Sequence, residues 1–414
     1  MKETKFKNTE IGRIPEEWET LYIHQITEIS TGATPSTNIN EYWENGTIRW
    51  MSSGELNNKI IYDVNGRITQ KGYDNTGTHM LPKNCVLIGL AGQGKTRGTA
   101  AYNKVELCTN QSIAAILPNS KYESKYLYFY IDSLYDKLRL LSAGDGGRGG
   151  LNKQILQNLE IAMPPLNEQH HIASALTSID NLISSLGKLI EKKKNIKQGT
   201  MQQLLTGKTR LKGFDEPWME HTIDELFDLG NGYTPSKSNP AYWTNGTIPW
   251  FRMEDIRTNG RILKDSIQHV TPEAVKGNGL YPKYSIILST TATIGEHALL
   301  IADSLANQQF TFLNRKVNRR DMIDIIFFYH YCFILGKWCR DNINAGGLLA
   351  VNMDDLKNHS IYIPKSIAEQ QAIATILTKM DDEITALEAK RAKYEAIKQG
   401  MMQQLLTGKI RLIS

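Results

Sequence analysis

The chain has 414 residues, 41% of them hydrophobic and 22% charged, with 48 Lys and Arg against 43 Asp and Glu for a net charge of +5. Its length excludes a single small core and implies two to four domains. The composition excludes a disordered or collagen-like chain, and the mild charge excludes a uniformly basic protein, so any nucleic-acid surface has to come from local clustering.

In chain order, the N-terminal segment has no apolar core of the kind a secretory signal carries. About 150 residues of mixed character follow, in which short β-like runs such as 85–90 alternate with Gly, Asn and Thr turns. A helical stretch at 125–141 leads to a glycine-rich turn at 144–150, and Pro164-Pro165 then opens a long helix. Apolar residues recur along it at Ile172, Leu176, Ile179, Ile183, Leu186 and Ile190, alternating spacings of four and three. The same plan then repeats: a β-like run at 285–288, a helical stretch at 322–340, Gly346-Gly347, Pro364 and a second long helix with Ile373, Leu377, Met380, Ile384 and Leu387 in heptad positions. This is the seam of a coiled coil, with an ordinary core-facing helix as the alternative. Long domains separate the two helices, so an antiparallel pair with pseudo-two-fold symmetry is the simplest arrangement.

The repetition is literal in places. IKQGTMQQLLTGK at 196–208 recurs as IKQGMMQQLLTGK at 397–409, followed by Arg210-Leu211 and Arg411-Leu412. Tyr42-Trp43-x-Asn45-Gly46-Thr47-Ile48-x-Trp50 recurs from Tyr242 to Trp250, Thr34-Pro35-Ser36 as Thr234-Pro235-Ser236, Trp18 as Trp218 and Asn152 as Asn352. Such colinear matches define an internal duplication, with an offset of 200 in the mixed regions and 201 after an insertion near residues 365–367. Within it, Ile190 corresponds to Arg391 and Lys193 to Tyr394, so the helices are not equivalent at those layers. Gly199 and Gly400 sit inside the helical pattern and read as kinks or sites of close approach by another chain, unless the helices end there.

No catalytic constellation emerges. The four cysteines, Cys85, Cys108, Cys332 and Cys339, form no C-x-x-C pair, which gives a zinc site no support and fits a reducing cytoplasm. The longest apolar stretch, 325–335, is broken by His330 and too short to span a bilayer, so no membrane association is expected. Gly89-x-x-x-x-Gly94-Lys95-Thr96 fits the phosphate-binding P-loop expression, but no amphipathic helix follows it and its second-copy counterpart has no lysine. A basic glycine-rich loop touching nucleic-acid phosphates is the better reading. Phe227-x-x-Gly230-x-Gly232 has only Gly32 as its first-copy partner; Glu191/Lys193 and Glu388/Lys390 lie on helix faces; and His170-His171 lacks metal-site spacing. No metal or cofactor is expected. The basic residues that stand near polar and aromatic ones are Arg49, Lys95, Arg97, Arg252, Arg257 and Arg261; with Gln93 and Thr293 they form the candidate DNA-contacting set. The first long helix is itself basic over 166–212, which is also what a solvated face looks like.

Over essentially its full length the chain resembles the specificity subunits of type I restriction-modification systems. The resemblance rests on IGRIPEEW at 11–18, Pro-Pro-Leu-Asn-Glu-Gln at 164–169 with its copy at 367–371, and the doubled QQLLTGK. It implies an α+β chain of two mixed target recognition domains, 1–165 and 211–365, and two spacer helices, 166–210 and 366–414, paired as an antiparallel coiled coil. It further implies that each domain binds one half of a bipartite asymmetric duplex DNA target, that two methyltransferase subunits dock on the helices, that motor-nuclease subunits join for restriction, and that this chain is not itself an enzyme. Two alternatives stand beside it: a coiled-coil scaffold whose globular domains bind protein, and a P-loop nucleotide-binding protein.

Overall fold

The computed structural model describes residues 4–92, 94, 96–142, 150–277, 279–344 and 349–413. Gln93, Lys95, residues 144–149 of the first glycine-rich turn, and Gly346-Gly347 lie outside them. The chain forms two compact units, residues 1–187 with 389–414, and residues 188–388. Each unit therefore holds one mixed domain, the first half of one long helix and the second half of the other. Among the described residues no helix is long and apolar enough to cross a membrane.

The two domains share one topology. In the first, a five-stranded sheet orders strands Ile29–Thr31, Ile113–Ile116, Val86–Gly89, Ala100–Asn103 and Ile60–Ile61. In the second the same order is taken by Phe227–Asn231, Phe310–Arg315, Ile286–Ser289, His297–Leu300 and Ile262–Leu263. The apolar runs seen in the sequence are the central strands, buried on both faces. Strand alternation sends Ile286 and Leu288 toward Phe327, Phe328 and Leu335 of helix Ile325–Asp341, and Ile287 toward Phe251, Phe310 and Phe312. Val86 and Ile88 divide from Leu87 in the same way. A smaller three-stranded sheet pairs Ile48–Met51 in parallel with Cys108–Thr109, and Ile248–Phe251 in parallel with Leu305–Ala306.

The uniform offset of 200 does not hold inside the domains. Ile116 corresponds to Leu313, because both pair with the equivalent residues Ile29 and Leu229, and the offset there is 197. The hairpin loop 90–99 is three residues longer than its counterpart 290–296, and the connection from the paired strand Ile113–Ile116 to helix Ser124–Ser133 is shorter than its counterpart from Phe310–Arg315 to Ile325–Asp341. Length changes collect in loops because strands cannot lose a residue without turning their buried side chains outward.

The long helices run from Leu166 to Leu204 and from Ile367 to Leu405, straight through Gly199 and Gly400. Among the described residues, apart from the helix's own backbone, no atom lies within 4 Å of a Cβ built at either glycine. Ile172, Leu176, Ile179, Leu186, Ile190, Ile373, Leu377 and Ile384 are buried, while Ile183, Met380 and Leu387 are half-buried. Ile172 and Leu176 share a core with Leu405 and Leu406, and Ile373 and Leu377 with Leu204 and Leu205. Lys398 bonds Asp180 at 2.6 Å in the first unit, and Lys197 bonds Asp381 in the second. In each unit the two helix segments therefore run antiparallel, and the QQLLTGK leucines, absent from the heptad reading, supply part of the packing.

The repeated motifs meet in one lock per unit. Gly207 and Gly408, at φ +69° and +68°, turn the chain out of each helix as left-handed C-terminal glycines do. Arg411 then grips the buried Glu168 with two hydrogen bonds, Nε to Oε1 at 2.7 Å and Nη2 to Oε2 at 2.8 Å, and Trp18 Nε1 donates to the same carboxylate at 3.0 Å. In the second unit Arg210 holds Glu369 at 2.6 and 2.7 Å, with Trp218 under its guanidinium. The next residue ties helix to domain. Gln169 accepts from the N–H of Glu123 at 2.9 Å and donates to Pro164 O at 2.8 Å; Gln370 accepts from Asp324 and donates to Pro364 O, both at 2.8 Å.

Candidate nucleic-acid interface

Four loops converge at one end of each domain. In the first they are residues 32–36, 52–55, the hairpin 90–99 and the turn 110–112. Asn110 N–H donates to Met51 O at 3.1 Å, Leu90 N–H to Ser112 O at 2.8 Å, and the Thr34 hydroxyl to Gln111 Oε1 at 2.6 Å. In the second, Asn307 N–H donates to Phe251 O at 3.0 Å, Thr290 N–H to Gln309 O at 3.1 Å, and the Thr234 hydroxyl to Gln308 Oε1 at 2.5 Å. Gly32 and Gly232 let the first loop rest on the turn: a Cβ would fall 1.8 Å from Thr109 O and 2.1 Å from Asn307 O. Leu151 and Val351, just past the glycine-rich turns, bond Leu90 O and Thr290 O and so join the same face.

The repeated tryptophans are the base of this face. Trp50 Nε1 donates to Ala33 O at 3.0 Å and Trp250 Nε1 to Tyr233 O at 2.9 Å. Trp43 and Trp243 each stand edge-on to that ring at 5.1 Å and donate to Ser36 O and Ser236 O. The frame is thus the same twice, while the residues it displays differ: Ser52 against Arg252, Ser112 against Gln309, Ala33 against Tyr233.

The basic residues named from the sequence are distributed unevenly. Arg252 stands on the face as the first residue after strand Ile248–Phe251, over the Trp250 ring and 2.9 Å from Glu254. Thr293 is in the hairpin turn, with its hydroxyl buried and unpartnered among the described residues. Arg257 is exposed on the helix Met253–Asn259. Arg97 lies at the base of the first hairpin, half-buried, with Ser142 Oγ at 3.5 Å from Nη1. Arg49 is bound to Asp63 at 2.8 Å, and Asp63 also holds Arg67; the Arg49 hydrogen bond leads in keeping the Asp63 carboxyl below its ordinary range. Arg261 bonds Glu296 and His297 O and covers Phe333, lining a cleft of about 700 Å³ with Lys197, Tyr329 and Arg340. Gln93 and Lys95 lie outside the described residues. Sequence reasoning did not single out Gln111 and Gln308, because the two glutamines stand 197 apart and fall out of the register used to align the copies.

The P-loop-like segment lacks the P-loop's surroundings. Gly89 ends one strand, Gly98 N–H returns to Gly89 O at 2.9 Å, and Ala100 begins an antiparallel neighbour. A P-loop leads instead into a helix whose N-terminus faces phosphate. Gly230 likewise lies within a strand. Among the described residues no group of three His, Cys, Asp or Glu side chains is placed to hold a metal. Burial raises the Cys85 and Cys339 thiols to about 12 and Cys108 to about 11, away from nucleophilic thiolate chemistry. His170 bonds Glu123 at 2.8 Å, and His171 bonds Leu412 O at the same distance. Lys193–Glu383 and Lys194–Glu388 are helix-to-helix ion pairs.

Two domains on one frame, each presenting its own set of polar side chains, define a duplicated recognition protein. The type I restriction modification DNA specificity domain matches the chain twice, at residues 15–198 and 215–399, and the chain belongs to that family of specificity subunits. It is 25% identical over 432 residues to the type I restriction enzyme MjaIX specificity subunit of Methanocaldococcus jannaschii, covering 99% of this chain and 97% of that one. It is 47% identical over 175 residues to the EcoprrI specificity subunit of Escherichia coli, a match spanning 41% of this chain and less than half, 43%, of that relative. Its fold is similar to the crystal structure of the type I restriction-modification S subunit from M. genitalium, with a TM-score of 0.62 at 16% identity over 97% of this chain and 98% of that one.

Proposed function

We propose that this chain reads a bipartite, asymmetric duplex DNA target, one half-site per domain, and performs no chemistry itself. Residues 1–165 and 211–365 are the recognition domains, and 166–210 and 366–414 are the spacer helices. The observation that carries this reading is the loop face built twice on identical internal bonds with different displayed residues. A shared frame with divergent side chains suits two unlike half-sites, since base edges are discriminated by the donors and acceptors presented to them. Arg252 on the face of the second domain, Arg257 on the exposed side of the helix Met253–Asn259, Arg97 at the base of the first hairpin, and Gln93 and Lys95 of the glycine-rich sequence are the contacts we assign to DNA; Arg49 and Arg261 act through intramolecular pairs that shape the domain. The seam residues Ile172 to Ile190 and Ile373 to Leu387 pair the helices. Two methyltransferase subunits dock on the exposed helical surfaces, and motor-nuclease subunits join that complex in the cytoplasm.

Selection of preferred duplexes from a library with two randomised half-sites and a variable gap tests the reading. Two short fixed blocks separated by an unspecified gap are expected. A single contiguous block, or no sequence preference, refutes it. Methyl transfer by the isolated, contaminant-free chain would refute the absence of catalysis.

A further inference from the structure

One of the bonds that join the loops of this face is a pair of surface side chains repeated in both domains. Thr34 and Gln111 are both exposed, as is Gln308, with Thr234 half-buried beside it, and in each domain the threonine hydroxyl bonds the glutamine Oε1. Exposed hydrogen bonds between neutral side chains contribute little to folding, because water serves either group as well. One neighbour of each has diverged, Ala33 against Tyr233 and Ser112 against Gln309, while Pro35 and Asn110 recur as Pro235 and Asn307. The pair therefore answers to something outside the chain that both domains meet alike.

The glutamine is held firmly. It follows Asn110 or Asn307 in a tight turn closed by Ile113 N–H to Asn110 O at 3.3 Å and by Phe310 N–H to Asn307 O at 3.2 Å. The Asn side chain accepts the N–H two residues on, from Ser112 at 3.1 Å and from Gln309 at 3.2 Å. With Oε1 engaged by threonine, the amide presents its NH2 group outward as a donor. A group that is the same in both domains cannot distinguish two different half-sites, and an outward amide donor matches the phosphate oxygens, which every DNA sequence offers in the same place along its backbone.

We infer that Thr34–Gln111 and Thr234–Gln308 are matched phosphate anchors, which fix each domain on the duplex backbone in the same pose while the differing neighbours read bases. The inference rests on the DNA-reading proposal. It is tested with the full chain on two probes, a duplex carrying the selected target and a random duplex of equal length. Gln111→Ala and Gln308→Ala should each weaken binding to both probes by roughly tenfold, leaving the preferred sequence unchanged. Gln308→Glu should lose more, because a carboxylate meets phosphate. Thr234→Val, which keeps shape and removes the hydroxyl, should give a smaller loss than Gln308→Ala. Neutral methylphosphonate at one backbone position per half-site should weaken wild type and leave the corresponding alanine variant no weaker than before. If the wild type selects its target and the folded alanine variants bind as tightly as it does, the anchor is refuted and the DNA-reading proposal stands. If a glutamine variant changes the preferred base at any position, the glutamine reads bases and the anchor is again refuted. If the wild type prefers no duplex, the DNA-reading proposal itself fails and the anchor with it.

Discussion

Arg210→Ala should be the most damaging single truncation in the tail motif. Glu369 is fully buried, and among the described residues its carboxylate has no hydrogen-bond donors besides Arg210 Nε and Nη2. Removing the arginine leaves a buried carboxylate without a partner, a loss of about 3–5 kcal/mol. The first copy differs in a way that sets an order. Glu168 keeps the Trp18 indole at 3.0 Å and the Leu412 N–H at 3.3 Å when Arg411 is removed. Hydrogen bonds to a charged group contribute about 1.5–3 kcal/mol each, so Arg411→Ala should cost less than Arg210→Ala by an amount in that range. One effect opposes this: Arg210 is 30% exposed and Arg411 only 6%, so water reaches the vacated site in the second unit more easily. We expect the retained donors to outweigh it, because both are already in place. The indoles add a control. Among the described residues Trp218 Nε1 has no hydrogen-bond partner, so Trp218→Phe removes no hydrogen bond, whereas Trp18→Phe withdraws a donor from Glu168. Two units need not unfold together, so the assay is hydrogen exchange read by mass spectrometry on peptides around Glu168 and Glu369, which gives a local opening free energy for each. Arg210→Lys keeps the charge but not the paired geometry and should recover less than half the loss. An Arg411→Ala effect equal to or larger than that of Arg210→Ala would refute the reasoning.

Three further outcomes are expected. Burial, with Arg261 beside His297 and Lys197 near His330, lowers both histidines to about 3. Their folded values lie below the unfolded value near 6.5, so the unfolded chain takes up protons first; the second unit should hold constant stability above about pH 6.5 and lose it as pH falls toward 3. Thermal unfolding across that range should show a shallower decline for His297→Phe, and an unchanged slope would count against it. Gly199→Ala and Gly400→Ala meet no atom within 4 Å and should each stabilise the helix by about 1 kcal/mol; if a methyltransferase subunit packs closely there, the same variants should lose the complex in a pull-down while melting higher. Exchanging residues 211–365 for the equivalent domain of a relative should alter one half of the selected target and leave the other, and a change in both halves would contradict independent reading.

The duplication, the two long helices and the central buried strands were legible in the sequence because each is a local pattern. QQLLTGK repeats letter for letter, apolar residues recur at helical spacing from Ile172 to Ile190, and 285–288 is an apolar run of strand length. The P-loop expression was legible too, and the missing helix after it already spoke against nucleotide binding: eight residues specify a spelling, while binding depends on the helix that follows, and here an antiparallel strand follows instead. The pairing of Arg49 with Asp63 and of Arg261 with Glu296 was not legible, because the fold brings those partners to them.

Which distant segments would meet was decided by the tertiary fold. Trp18, Glu168 and Arg411 belong to three motifs that the sequence displays separately, and they share one carboxylate only because antiparallel helices return the chain to its starting domain. Leu405 and Leu406 pack near Ile172 rather than extending their own heptad alone, for the same reason. The equivalence of Gln111 and Gln308 is hidden in the sequence by a hairpin that differs by three residues in length. It becomes visible in space because a sheet fixes its register through paired backbone bonds while its loops absorb insertions freely. Periodicity and repetition are properties of neighbours along the chain; a recognition face is assembled from loops that are neighbours only once the strands have paired.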